Sequence, residues 1–253
     1  MTNSSAHIDI DRITKSYGDT TVIGTTSCTI AEGQFVSLLG PSGSGKSTIL
    51  NMIAGLSEPT TGQVRARGAE ITGPDPERGM VFQHHALLPW MTARGNIEFG
   101  LRSARPELSA VERTERATAY LERVGLAHAA DRRPARLSGG MQQRVGLARA
   151  FAVDSEILLL DEPFGALDAL TRLQLQELLL EVWEANRRTV VMVTHDVDEA
   201  ILLSDRILVM SPGPQATIIA DIEEGLARPR FGTEDPAAEA RKLELRQQLL
   251  QLL

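Results

Sequence analysis

The segment Gly40–Ser47, with the sequence GPSGSGKS, constrains the fold of this chain more than any other feature. It follows an apolar run at 35–39 and precedes a run at 48–54 that has the composition of a helix. In this strand–turn–helix setting the pattern G-x-x-x-x-G-K-S binds phosphate, because glycines let the backbone approach a ligand and the helix N-terminus favours an anion. The segment therefore predicts binding of a nucleoside triphosphate, against the alternative of an ordinary loop rich in glycine and serine.

Two side chains of this loop have specific expected roles. The Lys46 ammonium is placed to interact with the β- and γ-phosphates, which makes Lys46 a catalytic as well as a binding residue. The Ser47 hydroxyl is an expected ligand of Mg²⁺. The residues expected to contact the nucleotide in this region are Gly40, Pro41, Ser42, Gly43, Ser44, Gly45, Lys46, Ser47 and Thr48.

The charge balance argues against a general nucleic-acid-binding protein. The 253 residues include 26 Lys and Arg against 33 Asp and Glu, a formal net charge of −7, whereas nucleic-acid-binding domains usually carry a basic face. The single cysteine, Cys28, is expected to be a small buried apolar residue. Met1–Ser5 lacks the pattern of a signal peptide, and the apolar runs are far shorter than the roughly 20 residues of a membrane span. We therefore expect a cytosolic protein, or one that partners hold at a membrane.

Strand-like and helix-like segments alternate on both sides of a helical region at 84–152, which predicts a parallel sheet covered by helices. Within the helical region, Ser109 has capping-box spacing to Glu112, and Ser138 is expected to cap a further helix. Strands are predicted at 7–13, 20–30 (as a strand pair), 35–39, 63–71 (as a strand pair), 80–83, 157–160, 189–193 and 206–210. Helices are predicted at 48–54, 110–124, 139–151, 167–186 and after an N-cap at Asp196.

Asp161 and Glu162 follow the apolar run Ile157–Leu160 and are expected at the carboxyl edge of the sheet, where ligands bind in open α/β folds. Because side chains alternate along a strand, the two acids point in different directions. Asp161 suits the Mg²⁺ shell, and Glu162 suits activation of a water for attack on the γ-phosphate. The alternative is a solvated acidic pair before Pro163, which the upstream phosphate loop makes the weaker interpretation.

The segment Leu137–Arg144, LSGGMQQR, places two glycines at the start of a predicted helix, where backbone amides can face an anion. A plain serine N-cap is the alternative. Together with the other two motifs, the segment resembles the L-S-G-G-Q signature of ABC-type ATPase subunits, with Met141 where that pattern has Gln. The resemblance covers residues 8–220 in the family's motif order. The residues of this segment that the resemblance assigns to nucleotide contact are Ser138, Gly139 and Gly140.

The resemblance implies an α/β fold, a P-loop NTPase core of the ABC ATPase type with an antiparallel β subdomain and a helical insertion subdomain. Residues 1–83 and 153–220 would form the nucleotide-binding core, 84–152 the helical signature subdomain, and 221–253 a C-terminal loop and helix. That last segment has a loop with Pro229 and Pro236 before a leucine-rich helix, which packs either on the body or on a partner. The implied activity is hydrolysis of ATP with Mg²⁺.

Further positions of the family's pattern are matched one at a time. Tyr17 resembles the aromatic residue that stacks on adenine, against the alternative of a core or surface tyrosine. Gln83 is similar to the glutamine that touches Mg²⁺ and the attacking water and senses the membrane partner, and His195 to the switch histidine on the γ-phosphate. Gly165–Asp168 resembles the loop that crosses the dimer interface. The implied catalytic residues are Lys46, Gln83, Glu162 and His195, and the implied metal ligands are Ser47, Gln83 and Asp161.

The family arrangement also implies partners. One phosphate loop and one signature lie far apart in a subunit of this family, so two copies pack head to tail with two ATP molecules between them. The segments 77–83, 87–90, 96–97, 161–168 and 171–172 look like those of nitrate, sulfonate and taurine importers, in which a separate membrane permease moves the solute and a solute-binding protein delivers it. The residues expected to receive the permease, at the cytoplasmic face of the membrane, are Leu87, Leu88, Pro89, Trp90 and Met91, against the alternative that this apolar cluster is core.

Two other classes of function remain open at this point. A non-transport ABC ATPase would act on nucleic acid or ribosomes, but such proteins usually carry paired ATPase halves or basic patches, and this chain has one half and a net charge of −7. A regulatory protein that binds ATP without turnover would not need Glu162 and His195. His84 and His85 have no acidic or thiol residues at metal-ligand spacing and are expected to be ordinary loop residues.

Overall fold

The computed structural model of the chain describes residues 6–83, 86–165, 167–228, 230 and 235–253. Contacts divide the chain into unit 1, which comprises Met1–Pro74 and Arg187–Leu253, and unit 2, which comprises Asp75–Asn186. The expectations stated above for Met1–Ser5, His84, His85, Ala166 and Pro229 lie outside the described residues.

The secondary structure follows the predicted alternation of strands and helices. The strands are β1 (Ala6–Tyr17), β2 (Thr20–Ala31), β3 (Phe35–Leu39), β4 (Thr61–Ala66), β5 (Ala69–Glu70), β6 (Arg78–Val81), β7 (Ile157–Asp161), β8 (Thr189–Thr194), β9 (Arg206–Met210) and β10 (Ile218–Glu223). The α-helices are α1 (Lys46–Ala54), α2 (Ala93–Ala104), α3 (Ala110–Arg123), α4 (Gly139–Val153), α5 (Ala169–Asn186), α6 (Val197–Leu203) and α7 (Pro236–Leu252).

One part of unit 1 is an antiparallel sheet in the order β2-β1-β4-β5. The predicted strand pair at 20–30 is wrong, because this region is the single strand β2, which pairs with β1 from Tyr17–Thr20 to Ala6–Ala31. Gly24, the turn-type residue in this run, stays inside the strand, where the backbone of Gln215 passes close to it. A Cβ at Gly24 would lie 2.8 Å from the Gln215 carbonyl oxygen, so glycine serves close packing here and not a turn.

The other part of unit 1 contains parallel strands. β3 lies between β8 and β9 and is parallel to both, and β10 pairs antiparallel with β9. All five residues of β3 and all six of β8 are buried, as expected for strands covered on both faces. The carboxyl ends of β3 and β8 therefore emerge together at one edge.

The C-terminal helix α7 packs on unit 1. Asp235 caps it by accepting from the Ala237 N–H at 3.0 Å, and Pro236 occupies the first turn, where its missing N–H costs nothing. Leu245 and Leu249, one turn apart, are fully buried in a cluster with residues of α6, β9 and β10. Leu243 and Leu250 lie on the exposed side.

Unit 2 contains the parallel pair β6 and β7 and the helices α2 to α5. The predicted strand at 80–83 ends earlier than expected, at Val81, and both Phe82 and Gln83 are exposed. Val81 is opposite Leu160, so the pairing stops one residue before the end of β7. Gln83 therefore lies beyond the end of the strand and not within the sheet.

The helix caps of unit 2 follow the sequence closely. Ser109 and Glu112 form the predicted capping box, with bonds of 2.7 and 3.2 Å between each side chain and the other residue's N–H. Gly125, just after α3, has the φ of 70° that a left-handed C-terminal residue needs. Local side-chain chemistry therefore sets where these helices begin and end.

Cys28 lies in β2 and is half-buried. Burial raises the pKa of its thiol to about 12, so the thiolate does not form at neutral pH. None of the helices in the described part of the chain combines the length and apolar character that crossing a bilayer requires.

Candidate functional site

The glycine-rich turn between β3 and α1 has the backbone of an anion-binding loop. Gly43 and Gly45 have φ of 81° and 78°, values that side-chain-bearing residues rarely adopt. Gly45 is the N-cap of α1 and offers no side chain to the N–H groups of the first turn. The positive end of α1 thus faces the loop, as a phosphate site requires.

The loop wraps around the Lys46 ammonium. Nζ donates to the carbonyl oxygens of Gly40 at 2.8 Å and Pro41 at 2.9 Å, and to the Ser44 hydroxyl at 3.3 Å. Lys46 is only 5% exposed, so its charge is held at the centre of the loop. The ammonium is a fixed positive charge that attracts the oxygens of a phosphate approaching over the loop.

The two left-handed glycines differ in their surroundings. A Cβ at Gly45 would lie 2.2 Å from Cδ1 of Ile23, a fully buried side chain of β2. A Cβ at Gly43 would meet nothing within 4 Å. Packing therefore requires glycine at Gly45, whereas at Gly43 the open side leaves room for a ligand to approach the backbone, which fits a bound triphosphate.

His195 emerges beside this loop. In the parallel pairing of β3 with β8, Leu39 is opposite Thr194, so Gly40 and His195 both follow the last paired residues. His195 is exposed, and the next residue, Asp196, caps α6. We call the carboxyl ends of β3 and β8, with Gly40–Ser47 and His195, the phosphate-loop edge.

Tyr17 ends β1 with its ring 56% exposed. The Lys15 ammonium lies 5.1 Å from the ring centroid, a cation–π distance. The same ammonium donates to the Glu58 carbonyl oxygen at 2.6 Å, which holds it in place. Tyr17 is thus neither a core residue nor a freely rotating surface residue, and an exposed, braced aromatic ring can stack on a planar ligand.

Unit 2 carries the acidic residues. β6 and β7 run parallel, and beyond their last pair Gln83 meets Glu162, with Nε2 donating to Oε2 at 2.9 Å. Asp161 is the last residue of β7 and is 8% exposed. Glu162 has a φ of 44°, which is uncommon for a residue with a side chain and occurs most often at functional sites. We call the carboxyl ends of these two strands, with Gln83, Asp161 and Glu162, the acidic edge.

The signature segment forms the start of α4. The Ser138 hydroxyl accepts from the Met141 N–H at 3.3 Å, and Gly139 and Gly140 are the first two helical residues. Ser138 and Gly139 are exposed and Gly140 is half-buried. The predicted serine N-cap is therefore present, and the helix N-terminus that it begins faces outward from unit 2.

Gln143 was not assigned a role from the sequence. It is 2% exposed, and its Nε2 donates to the Pro163 carbonyl oxygen at 2.7 Å, which ties α4 to the residues that follow Glu162. A Cβ at Gly140 would contact Leu167 at 3.4 Å, a second link between the same segments. The burial of Gln143 could have been predicted from the helical spacing, since Gln143 lies four residues before Leu147 on the apolar face of the helix.

Asp168, in the segment expected at a dimer interface, caps α5. Its Oδ1 accepts from the Thr171 N–H at 3.0 Å, and this bond lowers the pKa of the Asp168 carboxyl. The charge of this exposed carboxylate is therefore maintained at the N-terminus of the helix, where it is stabilising.

The segment Leu87–Met91 is not a single apolar cluster. Leu87, Leu88 and Met91 are half-buried, whereas Pro89 and Trp90 are exposed, Trp90 by 65%. The buried Asn96 side chain shapes this turn, because its Oδ1 accepts from the Leu88 N–H at 2.7 Å and its Nδ2 donates to the Thr92 carbonyl at 2.9 Å. The turn therefore has one anchored side and one side that projects a tryptophan.

Among the residues that the structure describes, no group of three or more His, Cys, Asp or Glu side chains could hold a metal ion. Mg²⁺ keeps several waters and is usually bound by one or two carboxylates together with substrate phosphates. The buried carboxylate of Asp161 is of the type required.

These motifs, in this order on an α/β fold, match a family model described as ABC transporter over residues 23–165. The chain belongs to the ABC transporter family. Its assignment as an ATPase and its P-loop NTPase fold with an antiparallel β subdomain, both predicted from the sequence, are confirmed.

The ABC family members most similar in sequence include two nitrate transport proteins. The chain is 47% identical to the nitrate transport protein NasD of Klebsiella oxytoca over 243 residues, which is 96% of this chain and 92% of that protein. It is 46% identical to the nitrate import ATP-binding protein NrtD of Synechococcus elongatus over 239 residues, 93% of this chain and 86% of that protein. A bicarbonate transport ATP-binding protein, CmpD of Synechocystis, is 44% identical over 231 residues, 90% of this chain and 82% of that protein.

Solved structures of ABC cassettes share the fold. A dimeric, post-hydrolysis structure of the ATP-binding cassette MJ0796 with ADP and Pi superposes with a TM-score of 0.78 at 35% identity, covering 85% of this chain and 98% of that one. Another dimeric structure of the same bacterial cassette gives a TM-score of 0.79 at 37% identity, with the same coverage.

Proposed function

We propose that this ABC-family ATPase powers a membrane importer of a small anion. The observation that carries the ATPase chemistry is the Gln83–Glu162 hydrogen bond at the acidic edge, which orients a carboxylate at the end of a strand. The importer assignment is supported by relatives over 90% or more of the chain whose names refer to nitrate and bicarbonate transport.

At the phosphate-loop edge, the nucleotide would be bound and oriented. The Lys46 ammonium would contact the β- and γ-phosphates together with the backbone N–H groups of Gly40–Thr48, and the exposed ring of Tyr17 would stack on adenine. His195 would donate a hydrogen bond to the γ-phosphate. Bound Mg²⁺, with Ser47, Gln83 and Asp161 as its ligands, would neutralise charge on the β- and γ-phosphates.

The acidic edge would activate water. Glu162 would accept a proton from the attacking water, which places a general base at the γ-phosphate. Gln83 would orient both this carboxylate and the water. Its side-chain amide already donates to the Glu162 carboxylate, which supports this role. Gln83 would also respond to the permease through the adjacent segment Leu87–Met91.

A second copy of the chain would complete each nucleotide site. Ser138, Gly139 and Gly140 present an exposed helix N-terminus, a good partner for the phosphates held by another copy. The segment Gly165–Asp168 would lie at the same interface. Two MJ0796 cassette structures are dimeric, which supports the same assembly for this chain.

The permease would dock at the turn Leu87–Met91. Trp90 projects from this turn, and a groove of about 300 Å³ begins beside Met91 and runs between α2 and α3, past Phe99 and Arg113. An exposed aromatic residue next to a groove is typical of a protein-binding surface. The chain would thereby be held at the cytoplasmic face of the membrane, and a solute-binding protein would deliver the anion.

The proposed division of labour follows the predicted parts of the chain. Residues 1–83 and 153–220 would bind and hydrolyse ATP, 84–152 would carry the signature and the permease surface, and 221–253 would support the core. Because the solute does not reach this subunit, the anion is proposed from relatives: nitrate or bicarbonate, with sulfonates such as taurine as the other class.

The test is transport with the complete system. The chain would be co-purified with its permease, reconstituted in vesicles with ATP inside or outside, and assayed for uptake of labelled nitrate, bicarbonate and taurine. We expect ATP hydrolysis and uptake of one anion to be coupled and both to be abolished by Glu162→Gln. Co-purification with nucleic acid or ribosomes and not with a membrane protein would contradict the importer.

A further inference from the structure

The helix α6 determines where His195 lies. β8 ends at Thr194 and α6 begins at Val197, so a two-residue link holds His195. This link is fixed at both sides: the Asp196 N–H donates to the Thr194 hydroxyl at 3.0 Å, and the Asp196 carboxylate accepts from the Glu199 N–H at 3.1 Å. A tilt or a shift of α6 would therefore move the backbone of His195.

The helix α6 needs support from outside itself. It has seven residues, fewer than an isolated helix requires for stability. The last carbonyl groups of any helix have no partner within the helix. In this chain arginines from the segment after β10 supply such partners.

Two arginine side chains hold the C-terminal end of α6. Arg228 Nη2 donates to the Leu203 carbonyl oxygen at 2.7 Å. Arg230 Nη1 donates to the carbonyl oxygens of Ile201 at 3.2 Å and of Ser204 at 2.5 Å. A cation at this end also interacts favourably with the helix dipole.

Acidic residues fix these guanidinium groups. Arg230 is 4% exposed, and its guanidinium contacts the carboxyl group of Glu224, which is fully buried. Asp205 pairs with Arg228 at 2.9 Å, and the Lys242 ammonium of α7 donates to the Arg230 carbonyl at 3.3 Å. Because buried ion pairs with further hydrogen bonds have little freedom to move, the two arginines form a rigid support for α6, which we call the α6 clamp.

We infer that Arg230 is a positioning residue for ATP hydrolysis, because it fixes α6 and, through α6, the imidazole of His195. This inference rests on the proposed role of His195 at the γ-phosphate. It gives the C-terminal segment a part in turnover, whereas the nucleotide affinity is set at the phosphate loop.

A double-mutant cycle with His195 tests the inference in the full-length chain. We expect Arg230→Gln to lower kcat roughly tenfold, as small misplacements of catalytic groups do, while the ATP dissociation constant changes less than twofold. We expect no further loss when Arg230→Gln is added to His195→Ala. Partial recovery by Arg230→Lys is also expected, since an ammonium can donate to the same carbonyl groups.

Control variants separate positioning from loss of folding. Arg230→Gln leaves the buried Glu224 unpaired, which destabilises a fold. The double variant Arg230→Met with Glu224→Leu replaces both side chains by apolar ones, and we expect it to fold but to show the same loss of kcat. Arg206→Gln breaks a more exposed ion pair, with Asp221 at 2.6 Å in the same unit, and we expect a near-normal kcat.

The outcomes are distinguishable. Equal losses of kcat in the Arg206 and Arg230 variants, or a full tenfold loss from Arg230→Gln in the His195→Ala background, would overturn the inference. A His195→Ala variant that hydrolyses ATP at the wild-type rate would instead refute the proposed role of His195, and with it the route through α6. The role of His195 is thus tested by His195→Ala alone, separately from the role of Arg230.

Discussion

The phosphate-loop edge and the acidic edge use the same backbone arrangement for opposite chemistry. In both, two parallel strands end side by side: Leu39 with Thr194 in unit 1, and Val81 with Leu160 in unit 2. The first edge presents N–H groups, an ammonium and an imidazole, whereas the second presents two carboxylates and an amide. Strand register thus brings residues together, and side-chain charge distinguishes the edge proposed to bind phosphate from the edge proposed to bind metal and activate water.

The two edges also differ in how firmly they are built. The Lys46 ammonium is buried among three acceptors, whereas Gln83 is exposed and contributes a single described bond of 2.9 Å to Glu162. A binding loop benefits from being formed in advance, because less order is lost when the ligand arrives. An exposed glutamine on a short strand end can change partner as the catalytic cycle proceeds.

The largest expected effect is at the acidic edge. Glu162→Gln removes the general base but keeps the hydrogen bond from Gln83 possible, so we expect ATP hydrolysis to fall by roughly 100- to 10,000-fold. ATP binding should persist and a dimer should accumulate with ATP. Steady-state phosphate release and size measurement by light scattering test both parts. Glu184→Gln, on the exposed side of α5, is the matched control, and a Glu162→Gln variant as active as that control would remove Glu162 from its role.

At the phosphate-loop edge the expected loss is in affinity. Lys46→Ala removes a buried charge that would bond two phosphates, and hydrogen bonds to charged groups contribute about 1.5–3 kcal/mol each. We expect the ATP dissociation constant to rise roughly 100-fold, measured by calorimetry. Lys242→Ala removes an ammonium elsewhere in the same unit and should leave the affinity unchanged. An unaffected affinity in Lys46→Ala would show that this edge does not bind the phosphates.

The two left-handed glycines of the loop predict a graded effect on stability. At Gly45 an alanine Cβ would meet the buried Ile23 side chain in addition to an unfavourable φ, and we expect a loss of about 2–4 kcal/mol. At Gly43 the alanine Cβ would meet nothing, so only the unfavourable φ contributes, and the expected loss of stability is about 1 kcal/mol. Urea unfolding of Gly45→Ala and Gly43→Ala measures the difference. Equal losses would mean that the contact with Ile23 relaxes without cost.

The last prediction concerns Glu224, which lies beside the guanidinium of Arg230. Burial raises the pKa of Glu224 to about 8, against the opposing charges of Arg230 and Arg228, with Asp205 and Lys242 also facing it. The folded chain therefore holds this proton more tightly than the unfolded chain, so the free energy of unfolding falls as pH rises from about 4.5 to 8. Glu224→Gln should flatten this slope by about 1–3 kcal/mol between pH 5.5 and 8.5 in urea unfolding. An identical slope in both proteins would exclude Glu224 as its source.

The parts of the fold that the sequence predicted depend on neighbouring residues. The phosphate loop, the capping box at Ser109 and the N-cap at Ser138 are local patterns, since the bonds described in them join residues at most six apart. The parallel arrangement of strands also followed, from alternation of apolar runs. The predicted pair at 20–30 was wrong because the β-branched residues of this run form one strand, in which Gly24 lies close to the distant Gln215.

The parts that the sequence did not predict are contacts between distant segments. Nothing near Arg230 in the sequence indicates that its guanidinium caps α6, because the accepting carbonyls lie 26 to 29 residues earlier and carry no side-chain signal. The strand β10 was likewise not predicted, since its sequence IIADIE mixes apolar and acidic residues and its place in the sheet comes from pairing with β9. The hydrogen bond between Gln83 and Glu162 was not predicted, although both residues were expected at the attacking water.

The most direct test of the central claim compares Lys46→Ala and Glu162→Gln side by side. The ATP dissociation constant and the single-turnover rate of hydrolysis at saturating ATP would be measured for both variants and the wild type. The account predicts a crossed pattern, in which Lys46→Ala binds ATP weakly and Glu162→Gln binds it with nearly wild-type affinity but hydrolyses it at least 100-fold more slowly. Loss of ATP affinity in Glu162→Gln as large as that in Lys46→Ala would contradict the division of binding and hydrolysis between the two edges.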